Sequence, residues 1–346
     1  MIGRVRIRDR WIGEGEPCFI IAEVGSNHDG KLSQGKDLID VAAEAKVDAI
    51  KFQSFTAETW VSKDGISASG AKGWGDLKEE LRKYELPYDM FRELKAYAES
   101  NGLLCLSSPS HVTDVVKLEE AGVAAYKFGS VQITDTPTIR YAAAKGKPML
   151  VSTGGSTLAE IEGALQSIYS TGNRDVILFH CTVMYPAEMG LVNLTAMDTI
   201  RSAFRVPVGY SDHTLDPVII PVAAVARGAV AFEKHFSLSR ALPGPDHPFA
   251  LEPGELKAMV KAIRSIEQAF GEAQKRLTEA EQSLVRMGRR SLVARVSIRK
   301  GDIIREEMLT TKRPGLGIPP RCLDVIVGRV ARRDIGEDEL LRWEDV

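Results

Sequence analysis

From residue 18 onward the chain alternates between two textures. Short runs rich in β-branched and aromatic residues, each closed by Gly, Ser or a polar residue, read as buried strands. Each precedes a stretch whose apolar positions recur at helical spacing. The runs are "CFIIAEVG" (18–25), "AIKFQSF" (49–55), "LLCLSSPS" (103–110), "AAYKFGS" (124–130), "PMLVSTG" (148–154), "VILFHCT" (176–182), "VPVGYSDHT" (206–214) and "AVAFEKHF" (229–236). Helical patterns lie between them, such as "LSQGKDLIDVAAEAKV" (32–47) and "PYDMFRELKAYAESNG" (87–102), and "EPGELKAMVKAIRSIEQAFG" (252–271) follows the last. Eight strand–helix units in about 255 residues predict a (β/α)8 TIM barrel, of the α/β class. A doubly wound open sheet is the alternative, but it usually has fewer strands, and no G-x-G-x-x-G follows the first run.

The texture then changes. Residues 272–286, "EAQKRLTEAEQSLVR", are charged and read as a helical or extended linker after a barrel spanning 1–271. Residues 287–346 carry short alternating runs and turn signals, which predict a small β-rich domain. A domain of roughly 60 residues is marginal alone and gains from packing on another surface.

Composition narrows the partners. Of 346 residues, 44% are hydrophobic and 27% charged, as in an ordinary soluble globular protein. With a net charge of −2 and no basic stripe, neither nucleic acid nor an anionic membrane is expected as a partner. The four cysteines have no C-x-x-C spacing and read as reduced thiols of a cytoplasmic protein. The opening "MIGRVRIRDRW" is charged throughout, unlike a signal peptide, and no apolar run reaches the roughly 18 residues of a membrane span.

In such a barrel the chemistry sits at the C-terminal strand ends. There the sequence places Glu23, Lys51 with Gln53, Ser107 with Ser108, Lys127 with Ser130, and Ser152 with Thr153. The later runs supply His180 with Tyr185 beyond it, Ser211-Asp212-His213 and Glu233-Lys234-His235. His213 and His235 end neighbouring strands, about 4.8 Å apart, so both imidazoles can share one metal ion with open positions left for substrate. Asp212 can orient such a ligand from behind. Lys51 and Lys127 interrupt apolar strands, and two readings stand. One lysine can form a Schiff base with a carbonyl substrate, or both can join Ser130, Ser152 and Ser211 in a cradle for phosphate and carboxylate. The second cation and the hydroxyls favour the cradle.

"FIIAEVGSNHDGKLSQGKDLIDVAAEAKVDAIKFQSF" (19–55), "KFGS", "STGGS", "HCTVMYP", "GYSDHT", "EKHF" and "LPGPDH" resemble, in this order, the sialic acid synthase family with its legionaminic and pseudaminic acid relatives. "TTKRPGLGI" resembles their C-terminal antifreeze-like (SAF) domain. The resemblance implies condensation of phosphoenolpyruvate with the open-chain aldehyde of an acetamido sugar, giving a nonulosonic acid and phosphate by C–O cleavage. It implies a divalent metal on His213 and His235, manganese first, with magnesium or cobalt as alternatives. Lys51, Lys127, Ser130, Ser152 and Ser211 would bind phosphoenolpyruvate, Glu23 would position the sugar and handle protons, and Tyr185 and Asp246 would contact the sugar. Arg313 would reach the partner's barrel across a domain-swapped homodimer. The chain departs from the family at Gln132, where an acid often stands, at Val183, where Asn or Ser is common, and in the loop 56–86 with "KGWGDLKEEL". Gln132 remains a candidate substrate contact, although an amide cannot act as a general base. A barrel aldolase and a non-catalytic carbohydrate-binding homologue are the competing functions. His28 and His247 are open between loop hydrogen bonding and substrate contact.

Overall fold

Strands form where β-branched and aromatic side chains pack on a pleated surface, and their period of two then decides which residues face a barrel's interior. A computed structural model describes residues 3–62 and 74–346. The chain divides into two units, Met1–Gly271 and Glu272–Val346. In the first, a hairpin of β1 (Val5–Ile7) and β2 (Arg10–Ile12) precedes eight parallel strands. These are β3 (Phe19–Gly25), β4 (Ala49–Ser54), β5 (Leu104–Pro109), β6 (Tyr126–Phe128), β7 (Met149–Ser152), β8 (Val176–Cys181), β9 (Val208–Asp212) and β10 (Ala231–His235). Every one lies inside the run that predicts it.

The ladder order is β5-β4-β3-β10-β9-β8-β7-β6, so the first and last of the eight, β3 and β10, pair side by side. At the remaining seam β5 and β6 are neighbours without a ladder, which leaves a nearly closed (β/α)8 barrel. The helices on its outside are Leu32–Ala45, Tyr88–Ser100, Val112–Glu120, Thr136–Ala143, Leu158–Tyr169, Ala196–Phe204, Ile219–Ala226 and Pro253–Phe270. Among the described residues, no helix is long and apolar enough to cross a membrane.

Parity explains the two cores. Ile20, Ala22, Ile50, Phe52, Leu178, Tyr210 and Phe232 point outward and pack against helix faces that include Leu38, Leu94, Ile161 and Met259. Phe19, Ile21, Ala49, Leu106, Leu150, Phe179 and Ala231 point inward. Val5, Ile7 and Ile12 of the hairpin join this inner cluster and close it next to the strand starts. The opening segment that reads as merely charged is thus an alternating strand, with Arg6 and Arg8 exposed and Val5 and Ile7 buried.

The same parity corrects two expectations. Asp212 faces outward and pairs with Lys234, its register partner, so it does not orient a histidine of the interior. Both side chains are almost fully buried, and Lys234 also donates to the Thr214 carbonyl at 2.6 Å. His180 faces outward too, with Nε2 3.0 Å from the Val192 carbonyl and its ring beside Tyr210.

In the second unit, β11 (Ser291–Ala294) and β12 (Leu309–Lys312) form an antiparallel pair. Isolated bridges join Val293 to Leu340, Ile298 to Ile335 and Ile303 to Val330. Leu292, Ile298, Ile304, Ile318, Ile335 and Leu341 make its core. The segment 272–286 is exposed but for the half-buried Val285, and its end runs into the helix Gln282–Gly288, where the Gly315 N–H donates to the Arg286 carbonyl at 2.7 Å.

Removing one member of a buried ion pair leaves the other charge without compensation. Lys234→Met is therefore expected to destabilise the barrel by about 3–5 kcal/mol, and the double change Lys234→Met with Asp212→Leu to recover most of that loss. Urea unfolding midpoints measure both.

Candidate active site

Above the apolar inner layer, the inward parity continues into polar residues. Phe19 and Ile21 are followed by Glu23, Ala49 by Lys51 and Gln53, Leu106 by Ser108, and Ala125 by Lys127. Leu150 is followed by Ser152, Phe179 by Cys181, Gly209 by Ser211, and Ala231 by Glu233 and then His235. All of these polar side chains line one open cavity of about 210 Å³ at the C-terminal strand ends, together with Ser130, Gln132, Tyr185, His213 and Trp60. Tight packing supports the loop around Ser130. A Cβ on Gly154 would lie 2.8 Å from Ser130 Oγ and 2.7 Å from a Val183 methyl, so glycine lets that loop close.

Parallel register brings the charges together. Glu23 stands opposite Lys51 on β3 and β4, and Glu233 opposite Ser211 on β10 and β9. Lys51 Nζ lies 2.7 Å from Glu23 Oε2 and 3.8 Å from Glu233 Oε2, and donates to Ser108 Oγ at 3.1 Å. Lys127 Nζ lies 3.2 Å from Glu233 Oε1, donates to Ser152 Oγ at 2.6 Å, and sits 5.0 Å over the Phe179 ring. Ser211 Oγ donates to Glu233 Oε1 at 3.0 Å, and Gln53 Nε2 to Glu23 Oε1 at 3.1 Å. Two ammonium groups and two carboxylates thus neutralise one another at the cavity floor.

Their environments push the two acids apart. Burial raises Glu23, only partly offset by Lys51, so its carboxyl titrates at about 7. Burial acts on Glu233 as well, but Lys127 and Lys51 together outweigh it and hold this carboxyl at about 2. Glu23 is thus the acid of the pair that takes up a proton more readily, while Glu233 stays ionised. Burial lowers the Lys127 amine, whereas Glu23 and Glu233 overcome the same effect at Lys51 and raise it.

Lys234 and Asp212 are level in the register, so the next residues, His235 and His213, come level as well, with ring centroids 5.5 Å apart. His213 Nδ1 donates to the Thr182 carbonyl at 2.8 Å, which leaves Nε2 as a lone-pair donor. His235 Nδ1 is buried without a hydrogen-bond partner among the described residues, 3.8 Å from Asp246 Oδ2. Burial pushes both imidazoles down to about 3, reinforced by His235 at His213 and by Lys51 at His235, so both are neutral near pH 7. Among the described residues no group of three or more His, Cys, Asp or Glu gathers for a metal. A neutral two-nitrogen pair of this kind fits a divalent ion whose other positions go to water or substrate.

Of the remaining expected residues, Tyr185 stacks on His213 at 4.1 Å, with Phe249 at 5.0 Å beside it. Ser130 Oγ accepts the Gly154 N–H at 3.0 Å. Gln132 reaches the cavity wall, but its Oε1 accepts the Gly129 N–H at 2.9 Å and its Nε2 donates to the Pro109 carbonyl at 2.7 Å. It therefore braces the turn after β6, and an acid there could not make the second of these bonds. Val183 packs on the Gly154 loop rather than lining the cavity. Of the loop 56–86, residues 63–73 lie outside the described residues, and Trp60 contributes an aromatic wall stacked on Phe55 at 4.6 Å. Arg313 belongs to the second unit, exposed at the end of β12. Glu233 has no assigned role in the sequence reading. An acid two residues before His235, on the same strand parity, is the signal that marks it.

The model of the NeuB family matches residues 38–275, and that of the SAF domain residues 289–346. An N,N'-diacetyllegionaminic acid synthase of Campylobacter jejuni is 40% identical over 335 residues, covering 94% of this chain and 98% of its own length. The N-acetylneuraminate-9-phosphate synthase of Homo sapiens is 34% identical over 340 residues, covering 97% and 94%. The crystal structure of a spore coat polysaccharide biosynthesis protein from Bacillus subtilis superimposes with a TM-score of 0.69 at 33% identity, covering 99% of both chains. A barrel with this ring of strand-end residues, matched over nearly its whole length by named synthases, is an enzyme of the NeuB family carrying a C-terminal SAF domain.

Proposed function

We propose that the chain condenses phosphoenolpyruvate with the aldehyde of a neutral acetamido sugar, giving a nonulosonic acid and phosphate. The observation that carries this reading is the floor of the cavity, where two ammonium groups are held among the hydroxyls of Ser108, Ser152, Ser211 and Ser130. That set suits a small ligand bearing both phosphate and carboxylate. The relatives named above support it, since they make legionaminic acid and N-acetylneuraminate 9-phosphate.

In this scheme Lys51 and Lys127 exchange part of their contact with Glu23 and Glu233 for the oxyanions of the ligand. His213 and His235 would hold a divalent ion, manganese by preference, which when bound supplies Lewis-acid polarisation of the sugar aldehyde. C3 of phosphoenolpyruvate forms a bond to C1 of the sugar, and the former aldehyde oxygen takes a proton from Glu23, the acid of the floor whose hold on a proton burial strengthens. The positive charge left at C2 is stabilised by Glu233. Water adds at C2 and gives up a proton to the Glu23 carboxylate. The bond from C2 to the bridging oxygen then breaks, phosphate leaves with that oxygen and takes the proton of the C2 hydroxyl, and C2 becomes the ketone of the product. Tyr185 and Asp246, beside the histidines, would contact the sugar.

Charge also limits the acceptor. Among the described lining residues the cations are Lys51 and Lys127, both already opposed by Glu23 and Glu233. A second phosphate on the sugar would have no counter-charge there, whereas the apolar rim of Trp60, Val131 and Tyr185 suits acetamido methyl groups. The burial-lowered amine of Lys127 favours one second reading, a Schiff-base aldolase. The small domain is proposed to cover a partner's barrel in a homodimer in the cytoplasm, with Arg313 reaching the acetamido end of the sugar.

Phosphate release is expected from phosphoenolpyruvate with N-acetylmannosamine or a 2,4-diacetamido-6-deoxy hexose. It should cease with a chelator and return with manganese. The corresponding sugar 6-phosphate should show kcat/KM lower by roughly tenfold or more. Chelator-insensitive turnover, with a borohydride-trapped adduct on Lys127, would instead establish the aldolase. In the same assay, Arg313→Ala should raise the KM of the sugar about tenfold and that of phosphoenolpyruvate less than about twofold. Equal rises would remove Arg313 from the acceptor side.

A further inference from the structure

The loop after β10, which carries Asp246, is closed at its base. The Ser237 N–H donates to the Leu251 carbonyl at 2.8 Å, and the Leu251 N–H to the His235 carbonyl at 2.9 Å. Nothing in that base fixes the far end of the loop, where Asp246 and His247 open a short turn, His247–Phe249. The far end is held by His247, whose side chain is fully buried and turned toward the loop after β3.

Both ring nitrogens of His247 are engaged. Nε2 lies 3.0 Å from Asp29 Oδ1, and a carboxylate can only accept, so Nε2 donates. Nδ1 lies 2.6 Å from Ser237 Oγ, which is also fully buried and accepts the Ser239 N–H at 3.1 Å. Asp29 is in turn held by Gln34, whose Nε2 donates to Oδ2 at 2.7 Å. One ring thus ties together both ends of its own loop and the neighbouring loop. Two glycines permit the approach. A Cβ on Gly244 would lie 2.7 Å from the His247 ring, and one on Gly25, at φ +57°, would overlap Asp246 Oδ2.

The consequence falls on Asp246. Next to His247, its Oδ2 accepts the Ser26 N–H at 3.0 Å and lies 3.8 Å from His235 Nδ1. Phe249, at the other end of the turn, packs 5.1 Å from the His235 ring and 5.0 Å from Tyr185. We propose that His247 is a positioning residue. Clasped by Asp29 and Ser237, it holds the turn that sets Asp246 and Phe249 against His235, and so governs the acceptor side of the cavity without touching the floor. This rests on the functional reading above for the identity of the acceptor, but not for the clasp.

Two measurements test it. Hydrogen exchange needs no ligand: His247→Ala should speed exchange across 242–250 and 25–30 and leave β4 and β6 unchanged. Unchanged exchange in those loops, or a rise throughout the barrel, overturns the clasp. In turnover, His247→Ala should raise the acceptor KM about tenfold or more and that of phosphoenolpyruvate less than about twofold, because small misplacements of positioning groups have large effects. Equal rises overturn the positioning role. Asp29→Ala should reproduce the split, whereas Asp29→Asn, which keeps an acceptor oxygen for Nε2, should lie near wild type. Asp29→Ala without effect also overturns the proposal, and it serves as the deciding variant if His247→Ala does not fold. A wild-type protein that releases no phosphate with any acetamido sugar refutes the functional reading, and the exchange result still judges the clasp.

Discussion

The ion quartet of Lys51, Lys127, Glu23 and Glu233 is the constraint to which the rest of the barrel is fitted. Each side chain is nearly or wholly buried, and a bare charge so placed costs several kcal/mol. Removing any one would leave an uncompensated charge in the barrel's centre. The quartet is tenable because parallel register sets Glu23 beside Lys51, and Ser108, Ser152 and Ser211 supply hydrogen bonds. The apolar layer of Phe19, Ile21, Leu106, Leu150 and Phe179 lies beneath it, closed by the hairpin. The same arrangement makes the site receptive. Cations already desolvated, and held by carboxylates that can yield, have little reorganisation left when an anion arrives.

Floor and rim are built differently. The floor is side chains on strands, fixed by pleat and ladder, and it contains the charge. The rim is made of loops: the Gly154 turn against Ser130, the Gln132 brace after β6, the Tyr185–His213 stack, and the turn bearing Asp246. A barrel can therefore keep one chemistry at its strand ends and change the partner it accepts through its loops. Gln132 illustrates the division. By bonding the Gly129 N–H and the Pro109 carbonyl it shapes the wall, and its amide, both donor and acceptor, does what an acid in its place could not.

The eight strands were legible because buried parallel strands appear as short apolar runs, and all eight lie inside the segments read from the sequence. The hairpin escaped because Arg6 and Arg8 alternate with Val5 and Ile7, so a half-buried strand of three residues looks like a charged tail. At the site, residue type was visible and direction was not. His180 and Asp212 stand at strand ends like the others, yet their parity turns them toward the helices. Glu233 and Gln53 face inward beside named residues, but a partnership across strands depends on register, which a single sequence does not print. The same holds for His247, whose two partners come from ten and 218 residues away.

Calorimetric titration with phosphoenolpyruvate alone decides whether the paired lysines at the floor are an anion site. The wild-type protein is expected to bind it, and Lys127→Met, with Glu233 left unopposed on that side, to bind at least about tenfold more weakly. Tyr185→Phe, a change confined to the rim, should bind as the wild type does. Equal affinity in Lys127→Met and the wild-type protein would mean that the lysine pair is not where the anion binds.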